Sequence, residues 1–583
     1  MPTLHWIGKD KVINHHTEVP FRVLEHKYGY RGDNPADTSE THSGNKIIHG
    51  DNLEALKALL PEYEGKIDCV YIDPPYNTGN EGWVYNDNVN DPHIRKWLGE
   101  VVGAEGEDLC RHDKWLCMMY PRLRLLQQLL SIKGVIFISI DDNELFNLKQ
   151  ICDEIFGSNC FVSNISWQNN YSLRNDAQGI PYDTDNILVY SRYPNWSPNL
   201  LPRTKEMDAR YVNYDQDSMP YKVTPIHAPG ANTHKSMVYA VQHPFTGELM
   251  YPPKGRHWKD GQDNLLIELC KWVPYEKRII DDKKFREEIC GGDVDIDIYA
   301  LMVKEPIELS KKMFKERYEK LPWPKYFFLS KGKGSLQAKT YLDTSKGKVV
   351  STLWKYEDVG TNVEATNELK DLYNNARIFD TPKPTRLLER ILTIATQKDS
   401  IILDSFAGSG TTAHAVMKKN EEDGGNRKYI LVELMDYAED ITAERVRRVI
   451  KGYGVGKKVV EGLGGAFDYY ELGEPLFYED GNLNEKVGIN KIRSYIYYTE
   501  THEPLVRKQD TGYPYLLDYH DGTGYFFYYE PKEITTLSHD TLNIVPQKAD
   551  HYVIYADVCA ISKEQLAQMN ITFKKIPRDI NRF

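Results

Sequence analysis

Two stretches of this chain share one grammar. Residues 400–419, SIILDSFAGSGTTAHAVMKK, pass from an apolar run to an acid, through a glycine loop, and into a helix-like pattern. Residues 69–80, CVYIDPPYNTGN, likewise carry an apolar run to an acid, followed by two prolines and a tyrosine. Short apolar runs closed by turn residues read as buried strands. Around the second stretch the text alternates. The run NKIIHGD precedes NLEALKALL, whose Leu53, Leu56 and Leu60 share one helical face, and PRLRLLQQLLSI precedes GVIFISIDD. The segment NELFNLKQICDEIFG reads as a helix that stops at Gly157. Strands alternating with helices predict an α/β fold with a doubly wound, mostly parallel sheet.

The rhythm lapses between about residues 161 and 375, where polar stretches rich in Asp, Pro and Lys prevail. It resumes with PTRLLERILTIAT, which sets Leu388, Ile391, Leu392 and Ala395 on one face, and with the strand-like KYILVELM. Beyond Gly452 the text turns Tyr-rich. Fourteen of the forty tyrosines lie from Phe467 onward, which favours a separate β-containing domain. The expected organisation is therefore an α/β domain in two parts, residues 1–165 and 377–455, split by an inserted α+β domain over 166–376. A C-terminal α+β domain over 456–583 follows.

At 583 residues the chain has length for two to four cores. It has no apolar run of about 18 residues, so no membrane span is expected, and its first residues lack the apolar core of a signal peptide. Eight scattered cysteines form no CxxC pair and no zinc-spaced cluster. They read as reduced thiols of a cytoplasmic protein, and no metal is expected. The net charge of −12 argues against nonspecific coating of nucleic acid. Locally the sign reverses: from Val303 to Tyr356 there are 13 Lys+Arg against 5 Asp+Glu. Such an island is either a binding surface or a solvated lysine-rich helix.

The chemistry is concentrated in the two loops. After Asp404, Gly408 and Gly410 permit close backbone approach, so a ligand can lie against the loop and the helix that starts near Thr411 and Thr412. The loop is neither the G-x-G-x-x-G fingerprint nor a Walker loop. About twenty residues on, Glu433 near the end of the next strand is placed to accept hydrogen bonds from ribose hydroxyls. In the other loop, Pro74 and Pro75 fix φ and remove two donors. Asp73 and the Pro74 carbonyl then present two acceptors, matched by an exocyclic amine, and Tyr76 offers a face for stacking a base. Read alone, each loop is also compatible with an ordinary surface turn.

The pair DPPY and FAGSG in one α/β domain resembles the DNA amino-methyltransferases that use S-adenosylmethionine. DPPY comes first, by over 300 residues, and that order resembles the β-class N6-adenine group. The finer text IDPPYNTGN, GDNLEALK, TPKPTRLLERIL and LDSFAGSGTT is similar to the modification (Mod) subunits of type III restriction-modification systems. YPPKGRHW, YLDTSKGKVVSTLWKYEDVG and FKKIPRDI extend the similarity over most of the chain. The resemblance implies a Rossmann-like methyltransferase fold whose insertion recognises the DNA target. It implies a catalytic loop of Asp73, Pro74, Pro75 and Tyr76. It implies a cofactor site built from Asp51, Asp73, Thr381, Lys383, Pro384, Asp404, Phe406, Ala407, Gly408, Gly410, Thr411 and Glu433. Asp51 would meet the cofactor's adenine, Phe406 and the glycines its methionine part, and Glu433 its ribose. Ser405 stands where related enzymes often carry proline. Asp185 stands where a histidine often precedes the strand, and no role is assigned to it.

Adenine N6 is out of reach inside a duplex, so the implied reaction requires the base to be flipped. Tyr76, Lys254, Arg256, Lys331, Lys333 and Lys339 are the candidate contacts to double-stranded DNA. The resemblance further implies a homodimer and a restriction (Res) helicase-nuclease partner on another chain. Two other readings compete: a noncatalytic DNA-binding or assembly subunit with this fold, and an enzyme acting on cytosine N4, RNA or protein glutamine. Cytosine enzymes more often begin the loop with Ser and glutamine enzymes with Asn, so Asp73 favours adenine.

Overall fold

The apolar runs become the strands of one ten-stranded sheet. The computed structural model describes residues 3–78, 111–171, 180–212, 214–295, 298–344, 346–454, 459–506, 513–545 and 549–581. Gly79 and Asn80, which close the stretch CVYIDPPYNTGN, and the expected 455/456 boundary lie outside them. In chain order the strands are β1 (Arg22–Arg31), β2 (Lys46–His49), β3 (Ile67–Ile72), β4 (Leu130–Ile140), β5 (Phe161–Gln168), β6 (Thr184–Ser191), β7 (Leu353–Trp354), β8 (Ile401–Asp404), β9 (Lys428–Glu433) and β10 (Ala466–Pro475). Their spatial order is β1-β10-β2-β9-β8-β3-β4-β6-β5-β7. Every pairing from β10 to β4 is parallel. β6 runs antiparallel to both its neighbours, and β1 antiparallel to β10. The expected α/β, mostly parallel sheet is present.

The helices that cover the sheet are α1 (Asn52–Tyr63), α2 (Arg111–Leu129), α3 (Leu145–Phe156), α4 (Asn362–Leu372), α5 (Thr385–Ala395), α6 (Thr411–Asp423), α7 (Glu444–Lys451) and α8 (Ile489–Thr501). Leu53, Leu56 and Leu60 on the predicted face of α1 share one buried core with Trp115, Leu123 and Leu126 of α2 and with Val70 and Ile72 of β3. Burial of this kind stabilises by about 25 cal/mol per Å² of apolar surface removed from water. The chain leaves β3 towards α2 and β4 on one side of the sheet. It leaves β8 through α6 towards β9 on the other. Because β3 and β8 are neighbours, their loops diverge and open a crevice at the switch point.

The chain divides into two compact units, residues 1–199 with 350–583 and residues 200–349. The insertion is thus narrower than the expected 166–376, because β5, β6 and β7 are hydrogen-bonded into the main sheet. Residues 200–349 form their own α+β unit around Trp258, Trp272, Phe314, Phe327 and Phe328. Its sheets include a three-stranded one of Tyr326–Phe328, Leu336–Tyr341 and Tyr221–Pro225. The region beyond residue 455 is not a detached domain either. β10 enters the main sheet between β1 and β2, and Tyr495 and Ile496 of α8 share a core with Phe21 and Val23.

Candidate active site

At the switch point, Asp73 follows the last residue of β3 and Asp404 ends β8. Between them lies a cleft of about 680 Å³, lined by residues 73–76 and 379–383, by Asp404, by residues 406–409, and by Glu433, Asn169, Asp185 and Tyr437 among others. Two loops that are over 300 residues apart in sequence therefore face one space.

The glycine loop is folded back onto its own strand. Asp404 Oδ1 accepts from the Phe406 amide at 3.1 Å, and its Oδ2 accepts from the Thr412 hydroxyl. Gly408 has φ +51° and Gly410 φ +77°. A Cβ at 408 would lie 3.2 Å from the Phe379 ring, and one at 410 would lie 3.0 Å from the Thr442 carbonyl oxygen. Both the backbone conformation and the space therefore require glycine. The Gly408 amide donates to Glu433 Oε2 at 2.7 Å, and the Met435 amide to Oε1 at 3.0 Å. From α7, the buried guanidinium of Arg445 reaches Thr411 Oγ1 at 2.7 Å and Ser409 Oγ at 3.1 Å. Nothing in the local text singled out Arg445, because its partners come from distant segments.

The proline loop is clamped from α2 and from the start of α3. Trp115 Nε1 donates to the Pro75 carbonyl at 2.7 Å. Asn77, at φ +59°, donates to Glu144, which also lies 2.6 Å from His112 Nδ1. Inside the cleft, Asp73 Oδ2 is 2.5 Å from Lys383 Nζ. Asp73 Oδ1 and Tyr76 Oη are buried and make no hydrogen bond of ordinary geometry.

The cleft is acidic. Burial pushes the Asp404 carboxyl up to about 7, against hydrogen bonds from Thr412 and the Phe406 amide. Burial likewise pushes Glu433 up to about 7, against the Met435 and Gly408 amides. Asp185 is also raised by burial, with Lys383 opposing. Asp404 and Glu433 thus hold protons in the folded chain that an unfolded chain, with carboxyls near 4, has already released. Their contribution to stability is complete below about pH 4 and is lost as pH rises through 7.

Three of the expected cofactor residues stand outside the cleft lining: Asp51, Pro384 and Gly410. Asp51 caps α1, accepting from the Leu53 amide at 2.7 Å, and pairs with Arg122 at 3.2 Å. Its carboxylate therefore supports the site from behind and does not line the cleft. Beside it Asn52 donates to the Ser405 carbonyl at 3.0 Å, tying α1 to the glycine loop. Pro384 caps α5, where proline's missing donor is harmless. Conversely, Asp185, Asn169, Phe379 and Tyr437 line the cleft, although no role is expected of any of them from the sequence. The position of Asp185 at the start of a strand-like run was the only available signal.

The DNA-contact candidates fare unequally. Lys254, Lys331 and Lys333 are exposed, and Arg256 is half-buried with a guanidinium nitrogen 3.2 Å from His227 Nδ1. Lys333, Lys311 and Lys315 all approach the Phe245 ring, at 5.3, 5.5 and 5.5 Å. Lys339 is no DNA contact. Its ammonium is fully buried and lies 2.6 Å from both Asp215 and Asp217.

The profile of the DNA methylase family matches residues 67–444, from β3 to the start of α7. The chain belongs to the DNA methylase family. Both cleft loops fall inside that span. Among curated members, the type III restriction-modification enzyme StyLTI Mod subunit of Salmonella typhimurium strain LT2 is 32% identical over 436 residues, which is 70% of this chain and 57% of that protein. The EcoPI Mod subunit from an Escherichia phage is 31% identical over 67% of this chain and 58% of its own length. The type II methyltransferase M.KpnI of Klebsiella pneumoniae is 30% identical, and the match covers 84% of it. The chain thus spans less than two thirds of the length of the two Mod subunits.

Proposed function

We propose that this DNA methylase transfers a methyl group from S-adenosylmethionine to N6 of an adenine flipped out of double-stranded DNA. We further propose that it is the modification and recognition subunit of a type III restriction-modification system. The convergence of residues 73–76 and the glycine loop on one cleft carries the reading. Similarity to the two Mod subunits supports the type III assignment, and the proposal includes a Res partner, a homodimer and a cytoplasmic setting. Among the described residues no helix is long and apolar enough to cross a membrane.

The cleft's charge fits the cofactor. Asp73, Asp185, Asp404 and Glu433 face one space with Lys383 as its lysine, a field that attracts a cation. Residues 406–409, Thr411 and Glu433 would hold the cofactor, with Thr381 and Lys383 opposite. When bound, the cofactor supplies an electrophilic methyl group on a cationic sulfur. On the target side, Tyr76 stacks on the flipped base, a contact worth about 1–3 kcal/mol. Asp73 and the Pro74 carbonyl accept from the amine and aim its lone pair. Holding two reactants in register supplies up to about 7–11 kcal/mol of the barrier. In this assignment the 200–349 unit reads the target, with Lys331 and Lys333 on phosphates.

Expressing the chain in a host without adenine methylation and mapping N6-methyladenine by single-molecule sequencing tests reaction, base and recognition sequence together. Finding no methylated motif would leave the noncatalytic reading standing. A cation beside Asp404 and Glu433 favours their ionised forms, so cofactor binding should release protons near pH 7, and affinity should rise from pH 6 to 8. Calorimetry in buffers of different ionisation enthalpy reads the release directly; identical apparent enthalpies would contradict it. Reversing the charge of Lys331 and Lys333 should weaken DNA binding and lower the salt slope by about 0.9 per lost phosphate contact. An unchanged slope would return both lysines to the solvated surface.

A further inference from the structure

The Lys383 ammonium lies where the proposed reaction needs the target amine. Its Nζ is 2.5 Å from Asp73 Oδ2 and 5.0 Å from the centroid of the Tyr76 ring. The side chain is only 10% exposed. An N–H donor on Asp73, carried beside Tyr76, is the same pair of contacts that adenine N6 would make. Asp73 Oδ1 stays open, but the ammonium over the Tyr76 ring fills space that a base stacked on that face would take, so lysine and base cannot both lie against Tyr76. We propose that Lys383 is a positioning residue that reserves the target-amine subsite and must leave it before adenine enters.

Three features bear on its departure. Thr381, two residues earlier, has φ +52°, a strained setting for a threonine of the kind that marks segments with a second arrangement. Asp185 lines the same cleft and feels the charge of Lys383, so a second carboxylate stands ready for the ammonium. A bound cofactor would bring a cation and a carboxylate into the cleft that Asp73 and Lys383 line, and either charge would weaken their pair. Base entry is then coupled to cofactor loading, and the coupling is reciprocal. Were Lys383 only a counter-ion that keeps Asp73 folded, removing it would not alter that coupling.

This inference rests on the proposed adenine methylation, and its test separates the two. A duplex carrying the mapped sequence, with 2-aminopurine at the target position, reports flipping by fluorescence with and without the unreactive analogue sinefungin. The wild-type chain should bind the flipped duplex at least tenfold more tightly with sinefungin than without. Lys383→Met should flip the base unaided, bringing that ratio near one, and Lys383→Arg should keep the wild-type ratio. If Lys383→Met does not fold, Asp73→Asn breaks the pair from the other side and should also bring the ratio near one. A wild-type ratio of one, or a wild-type ratio retained in Lys383→Met, would overturn the role of Lys383. Absence of N6-methyladenine in the mapping would instead remove the function on which it rests.

Discussion

Asp73→Ala is expected to slow methyl transfer by about 10³-fold or more, while affinity for S-adenosylmethionine survives in large part. The magnitude follows from losing an oriented polar contact to the reacting amine. The selectivity follows from the cleft's construction. The glycine loop is held by Asp404, Glu433, Thr442 and Arg445, none of which is hydrogen-bonded to Asp73. The proline loop is held separately by Trp115 and Glu144. Losing the Asp73 carboxylate therefore empties one subsite without unfolding the other. Alanine does strand Lys383, which has no other ion pair of its own among the described residues, so Asp73→Asn serves as the shape-preserving control. Single-turnover transfer of labelled methyl and calorimetry of cofactor binding provide the two readouts. Equal loss in both would mean that Asp73 builds the cofactor site and does not act on the amine.

Lys339→Met should destabilise the 200–349 unit by about 3–5 kcal/mol, the usual consequence of leaving buried charges without their partner. The Lys339 ammonium is 2.6 Å from Asp215 and from Asp217, and 2.8 Å from the Trp323 carbonyl. Asp215 also accepts from Tyr221 Oη at 2.9 Å and from the Trp323 amide at 2.6 Å, while Tyr341 Oη donates to Asp217 at 2.8 Å. One lysine thus ties the strand pair Tyr221–Pro225 and Leu336–Tyr341 to the residues around Trp323. In the full chain, amide exchange of peptides spanning these strands should accelerate by about 10²- to 4 × 10³-fold, at 1.4 kcal/mol per tenfold. Adding Asp215→Asn and Asp217→Asn should recover part of the loss. If Lys339 were a phosphate contact, the same substitution would lower DNA affinity and leave exchange unchanged.

Lys339 shows where reading a sequence stops. It sits in a basic stretch with Lys331 and Lys333, and residue type and spacing do not separate the three. What separates them is a pair of aspartates more than 120 residues upstream. Asp51 poses the same problem in reverse. The resemblance puts this acid, at a strand's end, on the cofactor's adenine, whereas its carboxylate caps α1 and meets Arg122. β10 is a third case. Its Tyr-rich text reads as a strand, but only pairing shows that it belongs between β1 and β2.

From its residues alone, the chain declared an α/β fold, the two loops and their glycines. These are local properties: apolar periodicity, backbone freedom at Gly408 and Gly410, stiffness at Pro74 and Pro75. Each is encoded within about a dozen residues, so text and structure agree. Tertiary structure alone decided that β3 and β8 are neighbours and that their loops face one cleft. It also decided that Lys383 pairs with Asp73, that Asp185 joins the site, and that Lys339 is a core residue. Those outcomes depend on which distant charge or strand a residue meets, and on whether water remains beside it. Burial and pairing over hundreds of residues are settled only when the sheet closes.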